Sequence, residues 1–144
     1  MLLPRRLLAA VLVPGALAAM AVAAAPSTAA PARTGLIDCA HKLTHRPTSI
    51  LLFCGDGSVG INKVTWSSFG GATATGRGTL LVNRCEPSCA DGTYTRSRIT
   101  IRLSRPRTFA GKRSYSVLEM TTIATGKSAG IYDVNRFGPY EREG

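Results

Sequence analysis

Beyond residue 48 the chain alternates apolar and polar positions at period two, and Gly, Pro, Asn and Asp interrupt it at short intervals. This pattern predicts half-buried β-strands joined by turns and leaves no long stretch of helical period. Residues 49–54, Ser-Ile-Leu-Leu-Phe-Cys, make a short apolar run of the kind expected for a strand buried on both faces. Gly55-Asp56-Gly57 turns the chain. Residues 59–69 predict a second strand whose parity changes: Val59 and Ile61 share one face, Val64 and Trp66 the other, so a bulge is expected near Asn62-Lys63. After Gly70-Gly71, residues 72–83 give the clearest strand. Ala72, Ala74, Gly76, Gly78, Leu80 and Val82 point one way, and the two glycines are expected to let a neighbouring backbone or the Trp66 ring approach closely. Residues 85–92 read as a loop and 93–104 as a fourth strand with Ile99, Ile101 and Leu103 inward. Residues 105–113 read as a polar loop, and 114–123 as a fifth strand. The tail from residue 124 is glycine-rich, with one edge strand expected at 130–134. The fold class is therefore all-β, a small antiparallel β-sandwich or β-barrel spanning residues 49–123.

The N-terminal third differs in character. Arg5 and Arg6, the apolar stretch 7–13 and the small-residue sites Ala21-Val22-Ala23 and Ala30-Pro31-Ala32 have the three parts of a cleaved signal peptide, with residues 1–32 as leader. An uncleaved anchor is the competing reading, since residues 7–25 are nearly long enough to span a bilayer. The central Pro14-Gly15 and the alanine-rich second half argue against it. The arginine pair also invites a twin-arginine reading, which ordinary leaders satisfy equally well. Residues 24–33 are, apart from Arg33, Ala, Pro, Ser and Thr, which cannot bury enough apolar surface to order themselves, and residues 33–48 follow as an N-terminal segment ahead of the β domain. About 112 residues remain, enough for one domain.

An exported chain places its four cysteines, Cys39, Cys54, Cys85 and Cys89, in an oxidising compartment, where they predict two disulfides. Local pairing, Cys39–Cys54 with Cys85–Cys89, is the simplest; pairing Cys54 with the 85–89 loop is also reachable, and the connectivity stays open. Zinc is the rival use of these thiols. Cys39, His41 and His45 cluster, but the stretch His41-Lys42-Leu43-Thr44-His45 lacks the carboxylate of a metalloprotease helix, so no metal or other cofactor is expected.

Charge carries the functional signal. Eighteen Lys and Arg against eight Asp and Glu give the chain a net charge of +10, and loss of Arg5 and Arg6 with the leader leaves +8. Such an excess favours anionic partners. Arg96, Arg98, Arg102, Arg105, Arg107, Lys112 and Arg113 fall in residues 93–118, a span without an acidic residue. Arg96, Arg98 and Arg102 share parity opposite to Ile99, Ile101 and Leu103, which predicts a guanidinium stripe on one outer strand face, extended by the following loop. Arginine suits phosphate because its planar fork donates two parallel hydrogen bonds. The bland alternative is a solvated face that discourages wrong strand pairing.

Other motifs resolve into ordinary structure. Gly55-Asp56-Gly57-Ser58-Val59-Gly60 fits G-x-G-x-x-G, but a dinucleotide site needs a helix next and β-formers follow. Gly126-Lys127-Ser128 mimics the end of a phosphate loop, with Thr121 where the leading glycine belongs. Asp56 and Asp91 sit in Asp-Gly turns. Trp66 and Phe69 could form a sugar platform, although a lone Trp in a small β domain usually fills the core.

Four linked patterns, C-x-D-G from Cys54, W-x-x-F-G from Trp66, A-x-G-x-G from Ala74 and C-x-P-x-C-A-x-G from Cys85, together with Pro47, Ile50 and Leu52, span 46 residues. On these the chain resembles an uncharacterised family of small secreted actinobacterial proteins. The resemblance implies an exported, disulfide-stabilised β fold and brings no activity, substrate or site residue. The sequence thus reads as a secreted, non-enzymatic basic binding module for anionic envelope polymers, without sequence-specific nucleic-acid recognition and without a membrane span in the mature chain. A protease inhibitor using the 85–89 loop, or a small-ligand carrier, is the alternative. If the leader is cleaved, N-terminal sequencing of the exported protein will find its first residue between Ala24 and Arg33; a product retaining residues 1–23 would establish an anchor.

Overall fold

Strict alternation needs a partner on each side to become a sheet, and the chain supplies partners in sequence order. The computed structural model of the chain describes residues 33–139, and the predicted leader lies outside the described residues. Nine strands form there: β1 (Leu36–Ile37), β2 (Leu43–Thr44), β3 (Ile50–Leu51), β4 (Val59–Ser68), β5 (Ala74–Asn83), β6 (Tyr94–Phe109), β7 (Lys112–Thr122), β8 (Ser128–Asp133) and β9 (Gly138–Pro139). β1 and β2 make a small hairpin. The remaining seven form an antiparallel meander in the order β3-β4-β5-β6-β7-β8-β9, curled into a half-barrel. Among the described residues no helix is long and apolar enough to cross a membrane.

The inner face is the core. Ile99, Ile101 and Leu103 of β6 are buried as their parity predicts, against Leu118 and Met120 of β7 and Ala74 and Leu80 of β5. The β4 bulge is present: the register shifts between Asn62 and Thr65, and Lys63 adopts a positive φ of 54°. The shift turns Val64 and Trp66 inward after Ile61. The glycines of β5 do what their smallness suggested. A Cβ at Gly76 would lie 2.6 Å from the Thr65 carbonyl oxygen and 2.9 Å from the Trp66 ring; one at Gly78 would lie 2.7 Å from Ile61.

Four sequence expectations are corrected. Residues 105–113 are not a loop. β6 runs for 16 residues and meets β7 through a two-residue turn in which Ala110 (φ 47°) and Gly111 (φ 72°) are both left-handed, the signature of a type I′ hairpin. Pro106 is tolerated because the Tyr115 amide opposite it points away, donating to the Gly35 carbonyl. That pair exchanges no ladder bond, so the missing N–H costs nothing there. Residues 49–54 are buried on one face only: Ile50 and Leu52 are inside, while Leu51 is exposed and only Ile50–Leu51 pairs as a strand. The strand expected at 130–134 is β8, which starts earlier and is flanked by β9. Finally, residues 33–48 belong to the packing of the domain. Leu36 and Ile37 are buried, and Gly35 bridges Ser114 in parallel, covering the part of β7 that β8 does not reach.

The disulfides pair locally, Cys39–Cys54 and Cys85–Cys89. The first ties the β1–β2 hairpin to the end of β3. The second closes a turn pinned from below by Asn83, whose side chain donates to the Cys89 carbonyl and accepts from the Cys85 amide.

An aromatic chain seals one end of the half-barrel. Trp66, Phe69 and Tyr115 meet edge to face at centroid distances of 4.9 and 5.6 Å. The Trp66 indole donates to the Pro47 carbonyl. The buried Tyr115 hydroxyl accepts from the Gly70 amide at 2.9 Å and donates to the Gly71 carbonyl at 3.1 Å. Burial pushes this phenol above its ordinary pKa, against the smaller opposing effect of the Gly70 N–H.

Two predictions follow from this packing. Gly76→Ala will destabilise the domain by about 1–3 kcal/mol in chemical denaturation, because backbone rather than a flexible side chain occupies the space a methyl needs. Tyr115→Phe will cost about 1–2 kcal/mol by stranding the Gly70 amide and Gly71 carbonyl. Since the folded phenol titrates above its unfolded value of about 10, its contribution is intact below that pH and is lost as pH rises through the folded value. The stability gap between wild type and Tyr115→Phe should therefore narrow in alkali; a gap independent of pH would refute the assignment.

A candidate anion-binding face

The same alternation that buries Ile99, Ile101 and Leu103 exposes Arg96, Arg98 and Arg102 on the outer face of β6. Register then decides their neighbours. On β5, Leu81 lies opposite Arg96, Thr79 opposite Arg98, and Thr75 opposite Arg102, while Arg77 lies opposite Thr100. On β4, Thr65 faces Arg77. No cation stands directly across from another on these strands, which matters because like charges in that position destabilise a sheet. Diagonal neighbours, about 7–8 Å apart, still pool their charge.

The seven sequence-predicted cations do not form one stripe. Arg102 lies opposite Glu119 of β7 and pairs with it at 3.7 Å, so the run that is free of acid in sequence is not free of acid in space. Arg105, Arg107, Lys112 and Arg113 sit on the two strands of the terminal β6–β7 hairpin rather than on a loop. Lys112 is partly buried and donates to the His41 carbonyl at 2.7 Å, a structural tie to the N-terminal hairpin.

Arg96 and Arg98 remain, and the fold adds two cations that the linear reading missed. Lys63 projects from the β4 bulge and Arg77 from the outer face of β5, between the two glycines that the core requires. Lys63, Arg77 and Arg98 come from three adjacent strands to line one shallow depression of about 380 Å³, together with Thr65, Thr79 and Ile123. Among the described residues, ion pairs form at Arg102–Glu119 and Arg136–Asp133, so no carboxylate neutralises Lys63, Arg77, Arg96 or Arg98. Lys63 could have been found from sequence, because a bulge residue is turned out of the ladder. Arg77 had its parity visible but no neighbouring basic residue to draw attention to it.

Beside this depression lies a larger one of about 650 Å³, crossing β4 to β7 and lined by the outer-face residues Thr65, Ser67, Thr75, Arg77, Thr100, Arg102, Glu119 and Thr121 together with Trp66, Gly76 and Ile101.

The remaining candidates take structural roles. His41 packs edge-on to Phe137 and His45 to Phe69, and Cys39 is in a disulfide; among the described residues no three His, Cys, Asp or Glu side chains gather to hold a metal. The 55–60 glycine pattern is the β3–β4 turn, closed by Asp56 accepting from the Ser58 amide. That bond, with one to the Ser58 side chain, holds the Asp56 carboxyl below its ordinary pKa. Asp91 is engaged by Ser88. Gly126-Lys127-Ser128 lies in the β7–β8 connection, where Gly126 donates to the Thr122 carbonyl. Trp66 is half-buried: it packs against the core and also lines the larger depression. The Cys85–Cys89 loop is a turn closed by its disulfide, with Cα atoms 3.8 Å apart.

Comparison of the chain with protein-family models, with curated proteins and with solved structures yields no match.

Proposed function

We propose that this chain is a secreted, non-enzymatic binding module that takes anionic polymers on the outer face of β4, β5 and β6. The observation that carries the reading is the convergence of Lys63, Arg77 and Arg98, with Arg96 adjacent, on a face where no carboxylate among the described residues pairs with them. The sheet fixes the spacing of the backbone positions that bear these cations, and released counterions drive association. Two disulfides suit an oxidising exterior, which supports the leader reading. The inner face is filled by core side chains, so the exposed outer face is the one free to meet a large ligand.

Immobilised heparin tests this directly. The mature protein is expected to bind at low salt and to elute as salt rises. The triple variant Lys63→Gln, Arg77→Gln, Arg98→Gln should lower the slope of log affinity against log salt by about 2–3, one contact per cation removed, with its melting temperature unchanged. A matched hairpin variant, Arg105→Gln, Arg107→Gln, Arg113→Gln, should retain most of the affinity. Loss of binding in the hairpin variant alone would move the site to the β6–β7 tip and overturn the assignment.

A further inference from the structure

Charge says anion, but the surface around it says which kind. We infer that the ligand is an anionic polysaccharide, bound across the strands in the 650 Å³ depression of β4 to β7; this rests on the anion-binding reading and narrows it.

The floor of that depression is a hydroxyl array. Thr65, Arg77, Thr100 and Thr121 are successive register partners on β4, β5, β6 and β7, forming one row perpendicular to the strands. Thr75, Arg102 and Glu119 form the next. Each row crosses three to four strands set about 4.8 Å apart, so the longer one is roughly 14 Å, the length of a short oligosaccharide. Some hydroxyls are already used: Ser67 and Thr75 bond each other at 2.8 Å, and Thr100 reaches the Thr121 carbonyl. Those of Thr65 and Thr121 make no hydrogen bond within the described residues, and both line the depression.

The chemistry is matched to a sugar bearing both hydroxyls and acid groups. Hydroxyls of Thr65 and Thr121 donate and accept, as a neutral sugar hydroxyl requires. Glu119 supplies an acceptor for vicinal hydroxyls, and its exposed 3.7 Å contact with Arg102 is loose enough to open cheaply. Arg77 and Arg102 offer forked donors to a uronate or sulfate group. A surface for phosphate alone has no use for a carboxylate in its midst. A surface for single-stranded nucleic acid would present several aromatic rings for successive bases to stack on; among the described residues Trp66 is the one aromatic that lines the depression, half-buried against the core, and the two rows hold none.

The test uses the full mature protein against three soluble polyanions of matched charge and length: polygalacturonate, inorganic polyphosphate and oligothymidylate. Polygalacturonate should stay bound at a salt concentration that displaces the other two. Thr121→Val and Glu119→Gln should each weaken it by roughly tenfold, the effect of losing one hydrogen bond that involves a charged or well-oriented group. Polyphosphate binding should be unchanged in Thr121→Val and unchanged or stronger in Glu119→Gln, which frees Arg102. Equal affinities and equal salt slopes for all three polymers would overturn the polysaccharide inference and leave the anion-binding face standing. Preference for oligothymidylate would overturn it in favour of nucleic acid. Failure to bind any of the three at low salt would remove both.

Discussion

The seven-stranded sheet has one apolar face and, among the described residues, no helix to cover it, so it must bend until that face meets itself, and the bend is possible here because β5 lacks side chains at Gly76 and Gly78. The Thr65 carbonyl and the Trp66 ring occupy the space beside Gly76, and Ile61 that beside Gly78. With β4 brought this close, its register must slip to keep Val64 and Trp66 inside, and the Lys63 bulge supplies the slip. Trp66 then reaches Phe69, and Phe69 reaches Tyr115 on the far strand β7. Each such edge-to-face pair adds about 0.5–1.5 kcal/mol beyond the area it buries, and Tyr115 fastens the 70–71 turn through its hydroxyl. Closure, bulge and aromatic seal are one linked consequence of two missing Cβ atoms.

The parts of this arrangement legible in sequence are those set by parity within one strand. Alternation alone placed Ile99, Ile101 and Leu103 inward and three arginines outward, and the change of parity after Ile61 located the bulge. What was illegible depends on contacts between strands. Residues 105–113 look like a loop because Pro106 breaks the pattern and Ala110-Gly111 is a weaker hairpin signal than Asn-Gly. Once that turn is seen, it fixes the register of β6 on β7, and Arg102 must then fall opposite Glu119. The two-residue strands β1, β2 and β3 have no pattern long enough to read; burial of Leu36, Ile37 and Ile50 holds them. The pairing of Cys39 with Cys54 was undecidable for the same reason, since it depends on where the β1–β2 hairpin docks.

The candidate anion-binding face was half visible. Its β6 members could be read from sequence because they lie two residues apart on one strand. Its other members, Lys63 and Arg77, lie on β4 and β5 and become neighbours of Arg98 through the pairing and register of those strands with β6. The residue that permits closure and the residue that carries charge are thus adjacent in the chain: Gly76-Arg77-Gly78 sends its glycines to the core and its guanidinium to solvent.

This separation explains how a small domain tolerates so much positive charge. Outer-face cations lie in water, where pairs of exposed charges interact weakly, and every arginine on β5 and β6 that has a direct cross-strand partner faces threonine, leucine, serine or glutamate, never another cation. Repulsion is therefore kept to diagonal neighbours, too weak to open a ladder anchored by Ile99, Ile101 and Leu103 on the other side. The interleaved threonines that make the spacing tolerable also supply the uncharged hydrogen-bonding groups between the charges. A face built only for solubility needs the cations and their separation, but it gains nothing from a carboxylate placed across from Arg102 at the β7 end of the array. A face that must distinguish a hydroxylated anion from a bare one does gain from it, because Glu119 penalises a second negative charge at that point while accepting a hydroxyl. The position of one acidic residue within a basic sheet is, on this argument, the feature that separates recognition from mere charge.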